Sequence, residues 1–270
     1  MAKITRITTQ KKDSERFNVY VDRGQGEEFA FGVSADVLVA FALSKGKEID
    51  EREMKSILFE DEIKKAYNRS LRFLSYRMRT EQEIRDYLQK KDVSGEVVDE
   101  VVRRLAENRF IDDTEFAKAF VSSRKRTSAK GPKAIKRELA KKGVSEELAE
   151  RAAHDYAFEE QVEAAARFAE KRARSHRRKS TAETKRLIAQ TLAGNGFSRE
   201  VIEAALREAA FEKDADQEWE ALVLQGEKAL RKYGPADGWE AEQKIKQFLY
   251  RKGFDFGLIE KFIREYQSED

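Results

Sequence analysis

The chain has 270 residues, 39% of them charged, with 54 Lys and Arg against 51 Asp and Glu for a net charge of only +3. It contains no cysteine, which excludes disulfides, Cys-ligated zinc and thiol nucleophiles and suits a reducing compartment. No run approaches the roughly 18 apolar residues of a membrane helix, and the opening MAKITRITTQKK lacks the apolar core of a signal peptide, so the expectation is a protein of the cytoplasm.

Only two prolines, with abundant Ala, Leu, Glu, Lys and Arg, point to a mostly helical chain. The N-terminal segment is the exception. ITRITTQ, RFNVYV and EEFAFGV read as short strands separated by polar, Gly-rich turns such as DRGQGEE. SADVLVAFALSKG then reads as a capped helix ending near Gly46, and a further helix is expected over about 51–61. The junction near residue 63 has no Pro, Gly or Ser linker.

Beyond it, four segments align without gaps: residues 85–105, 136–156, 189–209 and 246–266. The isoleucine just before each segment and a leucine within it form an apolar pair four residues apart, Ile84/Leu88, Ile135/Leu139, Ile188/Leu192 and Ile245/Leu249. Each reads as helix–turn–helix. Gly143, Gly196 and Gly253 fall where the chain must turn left-handed, a conformation cheap only for glycine, and Asp92 holds that place in the first unit. Ser94, Ser145, Ser198 and Asp255 follow as N-caps. Between turn and cap stand Val93, Val144, Phe197 and Phe254, placed to staple onto Val98, Ala149, Ile202 and Ile259.

Amphipathic stretches over roughly 63–78, 113–126, 160–177 and 215–232 precede these pairs, so each unit is a three-helix module. Such a module is too small to bury its own apolar face and should stack on its neighbours. The expected architecture is mainly α: tandem three-helix repeats after a small β-containing N-terminal domain. The expected divisions are 1–62 for the N-terminal domain, then repeats over 63–112, 113–158, 159–213 and 214–270.

No phosphate-binding loop, dinucleotide fingerprint or nucleophile elbow is present. The two histidines, His154 and His176, are far apart and lack ligand spacing, so neither a catalytic nor a metal role is expected. The adjacent Asp112 and Asp113 resemble half of a two-metal nuclease centre. They equally fit a helix start, with Glu115 three residues beyond Asp112 completing a capping box and Asp113 opposing the helix dipole. The capping account explains every residue there, including the apolar entry Phe110–Ile111, whereas a nuclease needs further converging carboxylates.

The basic clusters say more. Arg124, Lys125, Arg126, Lys130, Lys133, Lys136 and Arg137 run without an intervening acid, and Arg167, Lys171, Arg172, Arg174, Arg177, Arg178 and Lys179 run against Glu170 alone. Smaller versions are Arg72, Arg77 and Arg79 in the first unit and Arg231 and Lys232 in the fourth. All lie at the end of a unit's first helix or in the following connection. Stacked modules would line them up as a positive edge suited to phosphates or an acidic protein groove. Taken singly, such residues also simply complement a helix C-terminus. Few aromatics interleave them, so base stacking is not expected to dominate. The only prolines fall in Gly131-Pro132 and Gly234-Pro235. Pro132 fits a first-turn helix position, while Lys130 and Lys133 beside it leave open a turn that presents amides and ammonium groups to an anion.

Asn108-Arg109-Phe110-Ile111-Asp112-Asp113, then Phe116-Ala117, Val121 and Arg124, then Lys130-Gly131-Pro132 leading to Ile135 and Leu139, resemble the RecX family of regulators of the RecA recombinase. The resemblance extends over Tyr67 to about Ala210, and the strand-containing N-terminus and extra C-terminal repeat are similar to the longer forms of Gram-positive bacteria. It makes Arg109, Phe110, Asp112, Asp113, Phe116, Gly131 and Pro132 a structural motif. The family's first-helix arginine matches at Arg77 and Arg124, with Lys171 or Arg172 nearby in the third unit. The resemblance implies a non-enzymatic, cofactor-free, metal-free regulator whose partner is RecA in its filament on single-stranded DNA. It would restrain filament growth, ATP hydrolysis, strand exchange and co-protease activity, and so regulate recombination, DNA repair and the SOS response. The contacts would come from Arg72, Arg77, Arg79, Arg124, Lys125, Arg126, Lys130, Lys133, Lys171, Arg172, Arg174, Arg177, Arg178 and Lys179. A monomer is expected, with no membrane partner. The alternative is a helical-repeat protein that binds DNA directly and independently of RecA.

Overall fold

In the computed structural model the described residues are 1–11, 13–209, 215–234 and 238–267, and Pro235 lies outside them. Two compact units are present: Met1–Phe116 with Lys142–Val144, and Ala117–Lys141 with Ser145–Asp270.

The first unit opens on an antiparallel sheet of order β3-β2-β1-β4, built from β1 (Ala2–Gln10), β2 (Asp13–Asp22), β3 (Glu27–Ser34) and β4 (Glu48–Ile49). The three expected strands are present, each slightly longer than its apolar run. The fourth pairs Ala2 with Ile49 and carries too little pattern to be read beforehand. The helix expected to reach Gly46 is only α1 (Ala35–Ala40). Ala42 and Gly46 take positive φ, and the Gly46 amide donates to the Ile4 carbonyl at 2.8 Å, which turns the chain back to lay β4 beside β1.

The separate helices expected over 51–61 and 63–78 are one, α2 (Glu51–Leu74), so the expected division at 62/63 falls inside a helix. Its first half covers the sheet, with Ile57 joining Ile4, Val19, Val21, Val33 and Ile49 in one core. The buried Asp61 fixes it there. That carboxylate accepts from Arg16 at 2.9 Å, from the Ser34 amide at 2.8 Å and from Lys65 at 2.8 Å. Burial raises the Asp61 carboxyl, but the bonds from Arg16 and Lys65 outweigh it and hold the group below its usual range.

The second half of α2 joins α3 (Glu81–Gln89) and α4 (Gly95–Glu107) around Ile63, Ile84, Leu88, Val97, Val101 and Leu105. The same three-helix plan recurs as α5 (Asp113–Thr127), α6 (Pro132–Ala140) and α7 (Glu146–His154), as α8 (Phe158–Ala173), α9 (Thr181–Gly194) and α10 (Arg199–Glu208), and as α11 (Ala215–Tyr233), α12 (Trp239–Arg251) and α13 (Phe256–Gln267). All eight residues of the four expected apolar pairs are fully buried. The turns are left-handed as expected, at φ 58° for Asp92, 81° for Gly143, 85° for Gly196 and 81° for Gly253. Ser145, Ser198 and Asp255 accept amides as caps, whereas Ser94 holds the cap conformation without a side-chain bond.

Candidate functional site

Each turn glycine lies against the start of a preceding repeat's second helix. In the first unit Thr80 Oγ1 donates to the Lys142 carbonyl at 2.6 Å, Lys142 Nζ meets Glu83 at 3.0 Å, and the Asp113 carboxylate accepts the Glu81 amide at 2.9 Å. In the second unit Ser180 Oγ donates to the Lys252 carbonyl, and Glu218 accepts the Thr181 amide at 3.0 Å. Between α6 and α9 the backbone does this alone: the Gly131 amide donates to Asn195 O at 2.9 Å and the Lys133 amide to Gly196 O at 3.3 Å. A Cβ on Gly131 would stand 2.5 Å from the Gly196 oxygen, which explains a glycine where Thr80 and Ser180 stand elsewhere. Pro132 is the first residue of α6, as expected. The Gly131 and Lys133 amides are occupied by carbonyls, so these two amides do not face an anion.

The paired aspartates have separate structural tasks. Asp112 accepts the Thr114 and Glu115 amides at 2.8 and 3.1 Å, starting α5. Asp113 serves the start of α3 rather than only its own helix. Burial, then the carboxylates Glu81, Asp112 and Glu83, push its carboxyl upward, against the Glu81 amide bond. Among the described residues no group of three or more His, Cys, Asp or Glu is placed to hold a metal ion. Ile111 and Phe116 are buried, Arg109 turns left-handed at φ 59°, and Phe110 is half exposed in a T-shaped pair with Tyr67.

The basic residues divide into two groups. Some brace the fold. Arg124 Nε bonds Glu138 at 2.7 Å and Lys130 bonds the same carboxylate at 2.8 Å; burial raises the Glu138 carboxyl, but these two cations outweigh it and lower it. Lys125 reaches the Asp155 carbonyl at 2.8 Å and Glu160 at 2.7 Å. Arg77 forks onto Glu83 at 2.9 and 3.0 Å, Arg79 lies 3.8 Å over the Phe73 ring, and Lys179 bonds Glu183 at 2.8 Å. Arg177 also has an interaction within the structure.

The rest face solvent. Arg126, Lys133, Lys171, Arg172, Arg174 and Arg178 are exposed and make no ion pair within 4.0 Å among the described residues, although Lys133 lies near enough to Glu200 to help lower its carboxyl. Arg172 to Arg178 follow the end of α8 through a 3-10 turn, Arg174–His176. Burial and then Arg172 and Lys179 push the His176 imidazole below its usual range, a local sign of the positive potential there.

Arg72 belongs to a feature that reading by runs did not reveal. It joins Arg69, Tyr87, Lys90, Lys91 and Asp92 around an open cleft of about 710 Å³ in the first unit. The available signals were the three-residue spacing of Arg69 and Arg72 and the Lys90–Lys91 pair before the turn.

Family models match most of the chain: "Regulatory protein RecX N-terminal domain" at residues 2–50, "RecX, first three-helix domain" at 66–105, "RecX, second three-helix domain" at 112–152, and "RecX, third three-helix domain" twice, at 159–206 and 216–263. The chain is 46% identical over 270 residues to "Regulatory protein RecX" of Geobacillus sp. (strain WCH70), covering 100% of this chain and 99% of that one. It is 45% identical over 262 residues to the protein of that name from Bacillus subtilis (strain 168), covering 97% and 98%. Among solved structures it is similar to a regulatory protein RecX at 35% identity and TM-score 0.67, covering 77% of this chain and 100% of that one. RecX from Lactobacillus salivarius matches at 35% identity and TM-score 0.53, covering 57% and 99%.

Proposed function

The chain belongs to the RecX family of regulatory proteins, and on that premise we propose that it is a non-enzymatic modulator of RecA. It binds the RecA filament on single-stranded DNA in the cytoplasm and restrains filament growth, ATP hydrolysis, strand exchange and co-protease activity. The observation that supports this reading is the set of unpaired, exposed cations Arg126, Lys133, Lys171, Arg172, Arg174 and Arg178. In a chain with nearly as many acids as bases, exposed cations that no carboxylate contacts directly are available to an anionic partner. Arg124, Lys125 and Lys130 act at one remove, by bracing α5, α6 and α8, which carry Arg126, Lys133, Lys171 and Arg172.

The test is RecA ATPase on single-stranded DNA with the full chain. Arg126→Glu/Lys133→Glu and Lys171→Glu/Arg174→Glu should each weaken inhibition about tenfold, as expected when desolvated charge pairs are lost, with helicity and melting unchanged. Arg124→Ala should instead lower the melting temperature, costing about 1 kcal/mol as a half-exposed ion pair breaks. Full inhibition by both folded charge-reversal pairs would refute the assignment.

A further inference from the structure

The turn of the first repeat differs from its three counterparts in what covers it. Lys142–Gly143, Asn195–Gly196 and Lys252–Gly253 each lie under a preceding helix start, whereas Lys91–Asp92 opens onto the cleft beside the end of α2. Asp92 takes the same left-handed backbone as those glycines but carries a side chain. At Gly143 and Gly196 an added Cβ would stand 2.2 Å from Gln82 Cβ and 2.4 Å from the Ala134 nitrogen. Asp92 therefore bars a helix start from seating here as it does in the other repeats. The opening is left to a slimmer chain.

Its charge specifies that chain. Arg69, Arg72, Lys90 and Lys91 face one carboxylate, Asp92, and none of the four cations is ion-paired among the described residues. Arg72 makes only a 3.5 Å contact to the Asn68 carbonyl. In the same repeat Arg77, Arg85, Arg103 and Arg104 all hold carboxylates. The helix-dipole account fits Arg72, Lys90 and Lys91 but not Arg69, which lies before the last turn of α2. One wall is Tyr87, stacked on Phe73 with centroids 4.1 Å apart and planes 10° apart. Cations without acid partners beside an aromatic ring are what the backbone and bases of a single strand require.

We propose that this cleft holds a segment of single-stranded nucleic acid, with Arg69, Arg72, Lys90 and Lys91 on its phosphates and a base against Tyr87. This rests on the reading of the protein as one that works on a DNA-bound filament, and adds a direct DNA contact in the first repeat. An acidic helix of a protein partner is disfavoured by the barrier at Asp92.

The experiment is binding of the full chain to fluorescein-labelled oligothymidine, followed by anisotropy across salt. Arg69→Glu/Lys90→Glu should weaken binding at least about tenfold and flatten the log–log salt slope by about 1.4, two phosphate contacts at about 0.7 each. Arg52→Glu/Lys55→Glu, the same charge change at the start of α2, should bind as wild type does. Arg69→Ala/Lys90→Ala, checked by thermal melting, should show the loss in smaller measure without unfolding. Tyr87→Leu should weaken oligothymidine more than inorganic polyphosphate. Equal competition by polyphosphate with no effect of Tyr87→Leu would assign the cleft to free phosphate chains and overturn the proposal. So would wild-type affinity in the folded Arg69→Glu/Lys90→Glu protein. RecA ATPase run in parallel separates the two readings. Lost oligothymidine binding with undiminished inhibition upholds the cleft and leaves inhibition to the cations outside it, whereas intact oligothymidine binding by a wild-type protein that does not inhibit RecA upholds the cleft and faults the filament reading alone. Lost inhibition with unchanged oligothymidine binding assigns the cleft to RecA itself and overturns the nucleic-acid proposal.

Discussion

Thr80 and Lys142, 62 positions apart, are joined by a 2.6 Å hydrogen bond from the threonine hydroxyl to the lysine carbonyl. The same oxygen accepts the Glu83 amide at 3.2 Å, so one buried hydroxyl both caps α3 and ties it to the turn of the following repeat. Ser180 repeats the arrangement with Glu183 and Lys252. Thr80→Ala should cost about 2 kcal/mol in urea unfolding, about one for the cap and one for the second bond. Thr80→Ser should recover most of that.

The turn residues make an asymmetric pair of expectations. Gly143→Ala adds a Cβ 2.2 Å from Gln82 Cβ at φ 81°, so a loss of about 2–4 kcal/mol is expected from strain and overpacking together. Asp92→Gly meets no such neighbour and relieves a left-handed aspartate, so it should be neutral or stabilise by up to about 1 kcal/mol. Chemical denaturation of both variants checks the contrast.

Asp113 separates acceptor from charge. Asp113→Asn keeps an oxygen for the Glu81 amide and removes repulsion from Glu81, Asp112 and Glu83, so its stability at neutral pH should match or exceed wild type. Asp113→Ala leaves that amide without its acceptor and should cost about 1 kcal/mol. Equal losses in the two variants would show that the charge itself matters.

Acid should loosen the joint between Thr80 and Lys142. Burial raises the Glu83 carboxyl, but the hydrogen bonds from Arg77 and Lys142 outweigh it and hold it at about 2. A depressed carboxyl stabilises fully above its unfolded pKa, near 4.5, and loses that contribution as pH falls toward 2. Linkage sets a ceiling of about 3 kcal/mol, reduced by partial exposure. Asp113 has the opposite sign: its raised carboxyl favours the fold in acid and loses that as pH rises. Glu83→Gln should therefore flatten the acid limb of the stability profile, and Asp113→Asn should steepen it.

The repeat was legible because its causes are local. Burial of Ile84/Leu88 and its counterparts, the left-handed turns and most caps follow from residues within one helical hairpin. What escaped was long-range. Nothing near Glu138 in sequence says that it takes both Arg124 and Lys130, so cations that brace the fold looked identical to Arg126, which does not. Local sequence assigns Asp113 only to its own helix dipole, because its acceptor role involves a helix start 32 positions earlier. The break expected between two helices near residue 62 vanished because no proline or glycine interrupts α2, and Asp61 inside it is satisfied by the sheet.

The joints also give the array a direction of inheritance. Each requires a glycine turn on the later repeat and a hydroxyl or glycine helix start on the earlier one, so a duplicated module fits only in that order. The third-domain model matches residues 159–206 and again 216–263, as expected if one such module was copied next to its parent. A copy inserted ahead of α3 would have to seat on Asp92, and would need that aspartate changed first. The side chain that keeps the first turn open thereby bars lengthening of the array ahead of its first repeat.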